Sequence, residues 1–265
     1  MNIFLQEFKM SALSMIYWTV ALILLLYMFM LMYPAFTQDI SVFENLMNNF
    51  PPELIQALGL SNLNLANVLG YYGFTFVYVL LAGSIYSIKS AMSVLSEEIR
   101  SKTADFLLAK PVSRRTIVSA KIFSVLSHLL IQNIIFIIVS YIIMQIYSNG
   151  EFNTSALLLI NLSLIQVQLF FFALGIFIAV VVKRIKTVLP IAMGVVFAFF
   201  IIQMLNQTIN DAKLTYITPF AYFDVGQIIQ NVSYDMFLLV VNFIIIAILT
   251  GLTYVIYQRR DMPSV

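Results

Sequence analysis

The chain has 265 residues, of which 62% are apolar and 10% charged, with a net charge of +2 and no cysteine. A soluble domain is about 45 to 50% apolar and about 25% charged, so this composition excludes a water-exposed globular fold and describes a membrane protein. The missing cysteines exclude disulfides, thiolate metal sites and cysteine nucleophiles, and one histidine beside 12 carboxylates makes a histidine-rich metal centre unexpected.

Crossing the bilayer takes about 20 mostly apolar residues, and six stretches free of Lys, Arg, Asp and Glu have that length. They cover approximately residues 14–33, 68–88, 122–146, 156–182, 188–205 and 236–257 of a single transmembrane domain spanning 1–265. Ahead of the first, Met1, Phe4, Leu5, Phe8 and Ala12 share one helical face and Asn2, Gln6 and Lys9 the other, the pattern of an amino-terminal interfacial helix. The first span exceeds a signal-peptide core and has no small-x-small site before Pro34, so it is expected to remain as a helix.

After it, residues 34–67 carry Asp39, Glu44 and Glu53 and no basic residue. Ser41 and Glu44 have capping-box spacing, and Pro52, Glu53 and Gly59 bracket a short helix. Its apolar side is expected on lipid, with cover over the mouth of a path as the alternative.

The segment between spans two and three holds half of the basic residues with three acids. Ile99, Thr103, Phe106, Leu107 and Lys110 follow helical spacing, and Pro111 stops that helix. Ser113 can cap a second helix running through Lys121 into span three. The loop thus reads as helix, proline turn, helix, with Phe106, Leu107, Leu108 and Val112 among Glu97, Glu98, Arg100, Arg114 and Arg115. Contact with lipid headgroups and contact with a partner protein both fit those residues.

Further along, His128 is expected to serve packing. Gln132, Asn133, Asn161, Gln166, Gln168, Gln203 and Asn242 are expected to bond between helices more than to line a path. Gly83 with Ser87, Gly175 with Ala179 and Gly194 with Ala198 mark close helix packing. Before the last span, Thr218 to Phe223 places aromatic residues beside Pro219, which suits a short re-entrant or interfacial segment shielded by protein.

Basic residues gather in cytoplasmic loops. With the amino terminus inside, 13 of the 14 basic residues are cytoplasmic and only Lys213 is outside. Both termini are therefore expected in the cytoplasm. No Gly-x-x-x-x-Gly-Lys-Ser/Thr, His-Glu-x-x-His or Gly-x-Ser-x-Gly occurs, so no catalytic residue, metal site or cofactor is expected in the chain itself. A secondary transporter would need ionisable groups in the membrane, and His128 is the only one inside these spans. An ion-coupled secondary transporter and a non-transporting sensor or assembly protein remain alternatives.

Glu97-Glu98, the run Lys102-Thr103-Ala104-Asp105-Phe106-Leu107-Leu108-Ala109-Lys110-Pro111-Val112-Ser113-Arg114 and the later Lys121 resemble the cytoplasmic motif of ABC-2 type permeases. These are the membrane subunits of ATP-binding-cassette exporters. Lys102 stands where that family often has glycine. The resemblance implies a permease forming the translocation path, in a multi-pass protein of the plasma membrane, specifically a bacterial cytoplasmic membrane. It implies a coupling helix between spans two and three that docks on a separate ATPase subunit. The docking residues would be Glu97, Glu98, Arg100, Thr103, Phe106, Leu107, Leu108, Pro111, Val112, Ser113, Arg114 and Arg115. ATP and magnesium would be held by that partner, a second permease, identical or paralogous, would complete the assembly within membrane lipid, and no nucleic acid is involved. The substrate does not follow from the residues.

Overall fold

The computed structural model describes residues 3–40, 49–60, 63–101, 113–148, 150–182, 185–209 and 212–259. All regular structure among them is helical, and six helices are long and apolar enough to cross a membrane. The expectation of an all-α polytopic protein with six spans holds.

Helix α1 (Ile3–Gln38) runs from the amino-terminal turns through the first span without a break. Its 36 residues reach about 54 Å at 1.5 Å per residue, longer than the hydrocarbon core of about 30 Å, so the helix extends beyond it. The interfacial helix expected there is thus continuous with the first span. Two contacts hold those turns against the bundle: the Phe8 ring lies 4.3 Å from that of His128, and Glu7 pairs with Lys121. Pro34 is accommodated inside the helix near its end.

Helix α2 (Pro52–Ala57) begins with proline in its first turn and ends as expected at Gly59, whose φ is +70°. The Gly59 amide donates to the Gln56 carbonyl and the Leu60 amide to that of Ile55, the paired bonds that close a helix through a left-handed glycine. The Ser41 and Glu44 capping box lies outside the described residues.

Helices α3 (Val68–Ser101), α4 (Arg114–Ser148), α5 (Thr154–Val181), α6 (Val188–Ile209) and α10 (Met236–Arg259) supply the other spans. Between the last two lie α7 (Ala212–Thr215), α8 (Pro219–Tyr222) and α9 (Val225–Asn231). Asn153 starts α5, its side chain accepting from the Ala156 amide.

Helices α3 and α5 form the centre of the bundle and make its most extensive contact. α1 and α4 pack on one flank, and α6 and α10 contact α3 and α5 respectively. Small residues permit the central approach: a Cβ on Gly175 would lie 2.8 Å from the Ala91 Cβ, and one on Gly83 2.8 Å from Leu164. Two of the three small-residue pairs therefore mark packing within the chain. The third does not, because a Cβ on Gly194 would meet nothing within 4 Å, and this face of α6 is exposed.

The proline-aromatic segment before the last span is buried as expected. Pro219, Phe220, Ala221 and Tyr222 form α8. Phe220 packs on Phe171 and Phe200 at ring distances of 5.4 and 5.9 Å, while the Thr218 hydroxyl donates to the Phe199 carbonyl.

Candidate partner-docking platform

One end of the bundle gathers the start of α1, the ends of α3 and α10 and the start of α4. Ser113 opens α4 as a cap, its hydroxyl oxygen accepting from the Thr116 amide at 3.2 Å. Arg114 and Arg115 follow in the first turn and turn to the chain's own last helix. The Arg114 Nη1 donates to the Gln258 carbonyl at 3.4 Å and the Arg115 Nη2 to the Gln258 Oε1 at 3.1 Å. One turn further, Ser119 shares a hydrogen bond of 2.8 Å with the Tyr254 hydroxyl. Two turns in, Lys121 is buried and its Nζ lies 2.7 Å from the Glu7 Oε1 and 2.9 Å from the Val94 carbonyl. The stem of the loop is therefore bonded to α1, α3 and α10 together.

Glu97 lies in the last turns of α3 and lines a polar cavity of about 220 Å³ with Glu7, Ser14, Lys89 and Ser93. Across it the Lys89 ammonium donates to the Ser14 hydroxyl at 2.8 Å. Glu98 and Arg100 belong to the same end of α3. Thr103, Phe106, Leu107, Leu108, Pro111 and Val112 lie outside the described residues. The two stems of the expected elbow are thus among the described residues and its tip is not. Sequence reasoning missed the Glu7–Lys121 pair and the clamp on Gln258. Glu7 is the only acid ahead of the first span, and a buried cation requires such a partner.

Eleven residues along α4 from Lys121, about 16 Å at 1.5 Å per residue, a layer of amides joins four helices. Gln168 on α5 is its hub: the Nε2 donates to the Gln132 Oε1 at 2.9 Å and the Gly83 carbonyl at 3.3 Å, while the Oε1 accepts from Asn133 at 2.6 Å. Gln132 donates weakly to the Thr19 hydroxyl of α1 at 3.5 Å, and Ser87 donates to the Gln168 carbonyl at 2.6 Å. Elsewhere the Tyr72 hydroxyl and Asn161 meet at 2.7 Å, and Asn242 donates to the Gln166 carbonyl at 3.4 Å. These amides bond between helices as expected. Gln166 and Gln203 differ, since the Oε1 of each is buried without a hydrogen-bond partner among the described residues; Asn133 and Asn242 bond through Nδ2 while their Oδ1 atoms also lack one.

The platform and the amide layer are two separate polar regions on α4, about 16 Å apart at 1.5 Å per residue; between them the Ser124 Oγ and His128 Nε2 are buried with no hydrogen-bond partner among the described residues, and the outer surface of the bundle is apolar. Six long apolar helices joined by such interhelical polar contacts describe a multi-pass membrane protein. The chain matches the ABC-2 family transporter proteins over residues 1–262, and it belongs to that family, as a membrane permease of an ABC transporter. No curated protein and no solved structure matches it.

Proposed function

We propose that this permease is the path-forming subunit of an exporter in a bacterial cytoplasmic membrane, driven by a separate ATPase subunit that docks on the 96–115 loop. Two permeases and two ATPases complete the assembly, ATP and magnesium being held by the ATPases. The observation that carries this reading is the bonding of the loop stem to α1, α3 and α10 through Lys121, Arg114 and Arg115. A partner pushing on the loop would move three further helices with it. Closure of the ATPase pair on ATP would then shift the spans, provided that ATP favours the closed pair by a few kcal/mol.

The docking contact would rest on Phe106, Leu107 and Leu108, because burying one large apolar side chain contributes about 1.5 to 3 kcal/mol and an exposed ion pair about 0 to 1. Leu107→Asp is expected to release the ATPase on purification while membrane insertion survives. Arg115→Ala is expected to retain it, since the Arg115 guanidinium already bonds within the chain. Co-purification of the ATPase at the normal ratio with Leu107→Asp, together with normal transport, overturns the docking assignment.

A further inference from the structure

At the end of the bundle opposite the platform, α2, α8 and α9 fold over α3 and α6 and line two adjoining, partly open chambers. The first, about 120 Å³, has apolar walls that include Leu63, Phe74, Val77, Leu80, Phe200 and Phe220. The second, about 250 Å³, is walled by Gln56, Asn206, Thr215, Gln227 and Asp235. Gly59, Gln203, Gln207 and Asp224 line both. The left-handed Gly59 lets α2 close over the junction: a Cβ there would come within 3.0 Å of the Gln207 Nε2.

The junction accepts hydrogen bonds and repels anions. Gln203 is only 7% exposed, and its Oε1 has no partner among the described residues. Asp224 caps α9 through Oδ1, which accepts from Gln227 at 2.9 Å. Asp235 caps α10 through Oδ1, which accepts from Phe237 at 2.9 Å and Leu238 at 3.3 Å. Among the described residues neither Oδ2 receives a hydrogen bond, and a carboxylate accepts at both oxygens. No lysine or arginine lines either chamber. Buried polar groups ordinarily find partners, so an acceptor left open between an apolar chamber and two carboxylates calls for a donor from outside the chain.

We propose that these chambers bind an amphiphile with an apolar body and a primary ammonium head, the body in the first chamber and the head donating to Gln203, Asp224 and Asp235. A phospholipid amine fits less well, since its phosphate would enter the field of the two aspartates. The site concerns this chain alone, so it stands or falls independently of the ATPase docking reading.

The test uses the full chain in phosphatidylcholine nanodiscs and dansylcadaverine, which joins an aryl sulfonamide to a primary ammonium. Its neutral analogue N-pentyl dansylamide and empty nanodiscs serve as controls. Fluorescence titration is expected to show saturable binding absent from empty discs, with the amine at least tenfold tighter than the analogue. Asn caps a helix as well as Asp, so Asp224→Asn with Asp235→Asn is expected to remove that preference while the thermal unfolding midpoint holds. Gln203→Leu is expected to weaken the amine several-fold, and Val77→Trp, which fills the apolar chamber, to abolish binding of both probes. Equal binding of amine and analogue, binding equal to that of empty discs, or an undiminished preference in the double Asn variant each overturns the proposal.

Discussion

Lys121 carries its ammonium into the bundle with a side chain 1% exposed, opposite a Glu7 side chain that is 14% exposed. Removing one member of a buried pair strands the other and costs about 3 to 5 kcal/mol, whereas replacing both with apolar or neutral groups can be close to neutral. Lys121→Met is therefore expected to lower stability by that amount, and adding Glu7→Gln to the same chain to restore most of it. Chemical unfolding of the parent chain, Lys121→Met, Glu7→Gln and the double variant in one detergent measures the coupling, and additive losses would show that the two residues are not energetically coupled. Lysine 121 was legible in the sequence as part of a motif, and Glu7 as an isolated acid. Their contact was not, because it joins residues 114 positions apart, and helical periodicity carries no information at that separation. Gln203 gave no separate signal either: in the sequence it is one amide among seven, and only its place at the junction of the two chambers distinguishes it.

At the scale of helices, the same residue type has opposite meanings in different places. Gly175 lies where α5 meets α3, and an added Cβ would stand 2.8 Å from the Ala91 Cβ and 2.9 Å from the Ile88 carbonyl oxygen. Gly251 lies in α10, and a Cβ there would meet nothing within 4 Å. Gly175→Ala is expected to push the central helices apart at about 1 to 3 kcal/mol. Gly251→Ala should stabilise α10 by about 0.5 to 1 kcal/mol, because Gly loses more backbone freedom in a helix than Ala. Thermal unfolding midpoints moving in opposite directions check both, and a shift of the same sign would contradict the packing at one of them. The six spans were legible because a charge-free run of membrane length admits few other structures. The continuity of α1 was not, since an amphipathic face at Phe4, Leu5 and Phe8 suits an interfacial helix and one docked on α4 equally. The helix at Pro52 was legible through its proline start and glycine stop, but its cover over a chamber depends on α6 and could not be read locally. Gly194 shows the limit of small-residue spacing, which says that a helix can be approached closely and leaves open by what.

For the whole molecule, the two ends differ in their basic residues, and the proposed direction of insertion rests on that difference. The platform end carries Lys9, Lys89, Arg114, Arg115, Lys121 and Arg259 beside Glu7, Glu97 and Glu98, and the chambered end carries Glu53, Glu151, Asp224 and Asp235 with Lys213 alone among basic residues described there. Basic residues near span ends are retained on the cytoplasmic side, so the proposed orientation puts the platform on the ATP side and the chambers at the opposite end. Because the chain contains no cysteine, single cysteines report position without background. Lys9, Arg115, Glu53 and Glu151 are all exposed, so differences in labelling among them report the side of the membrane and not burial. In intact cells an impermeant maleimide is expected to label Glu53→Cys and Glu151→Cys but not Lys9→Cys or Arg115→Cys, and all four after permeabilisation. The reverse pattern would place the loop stem outside, out of reach of any cytoplasmic ATPase, and would overturn both the orientation and the docking scheme, while leaving the binding chambers to be judged by their own titration.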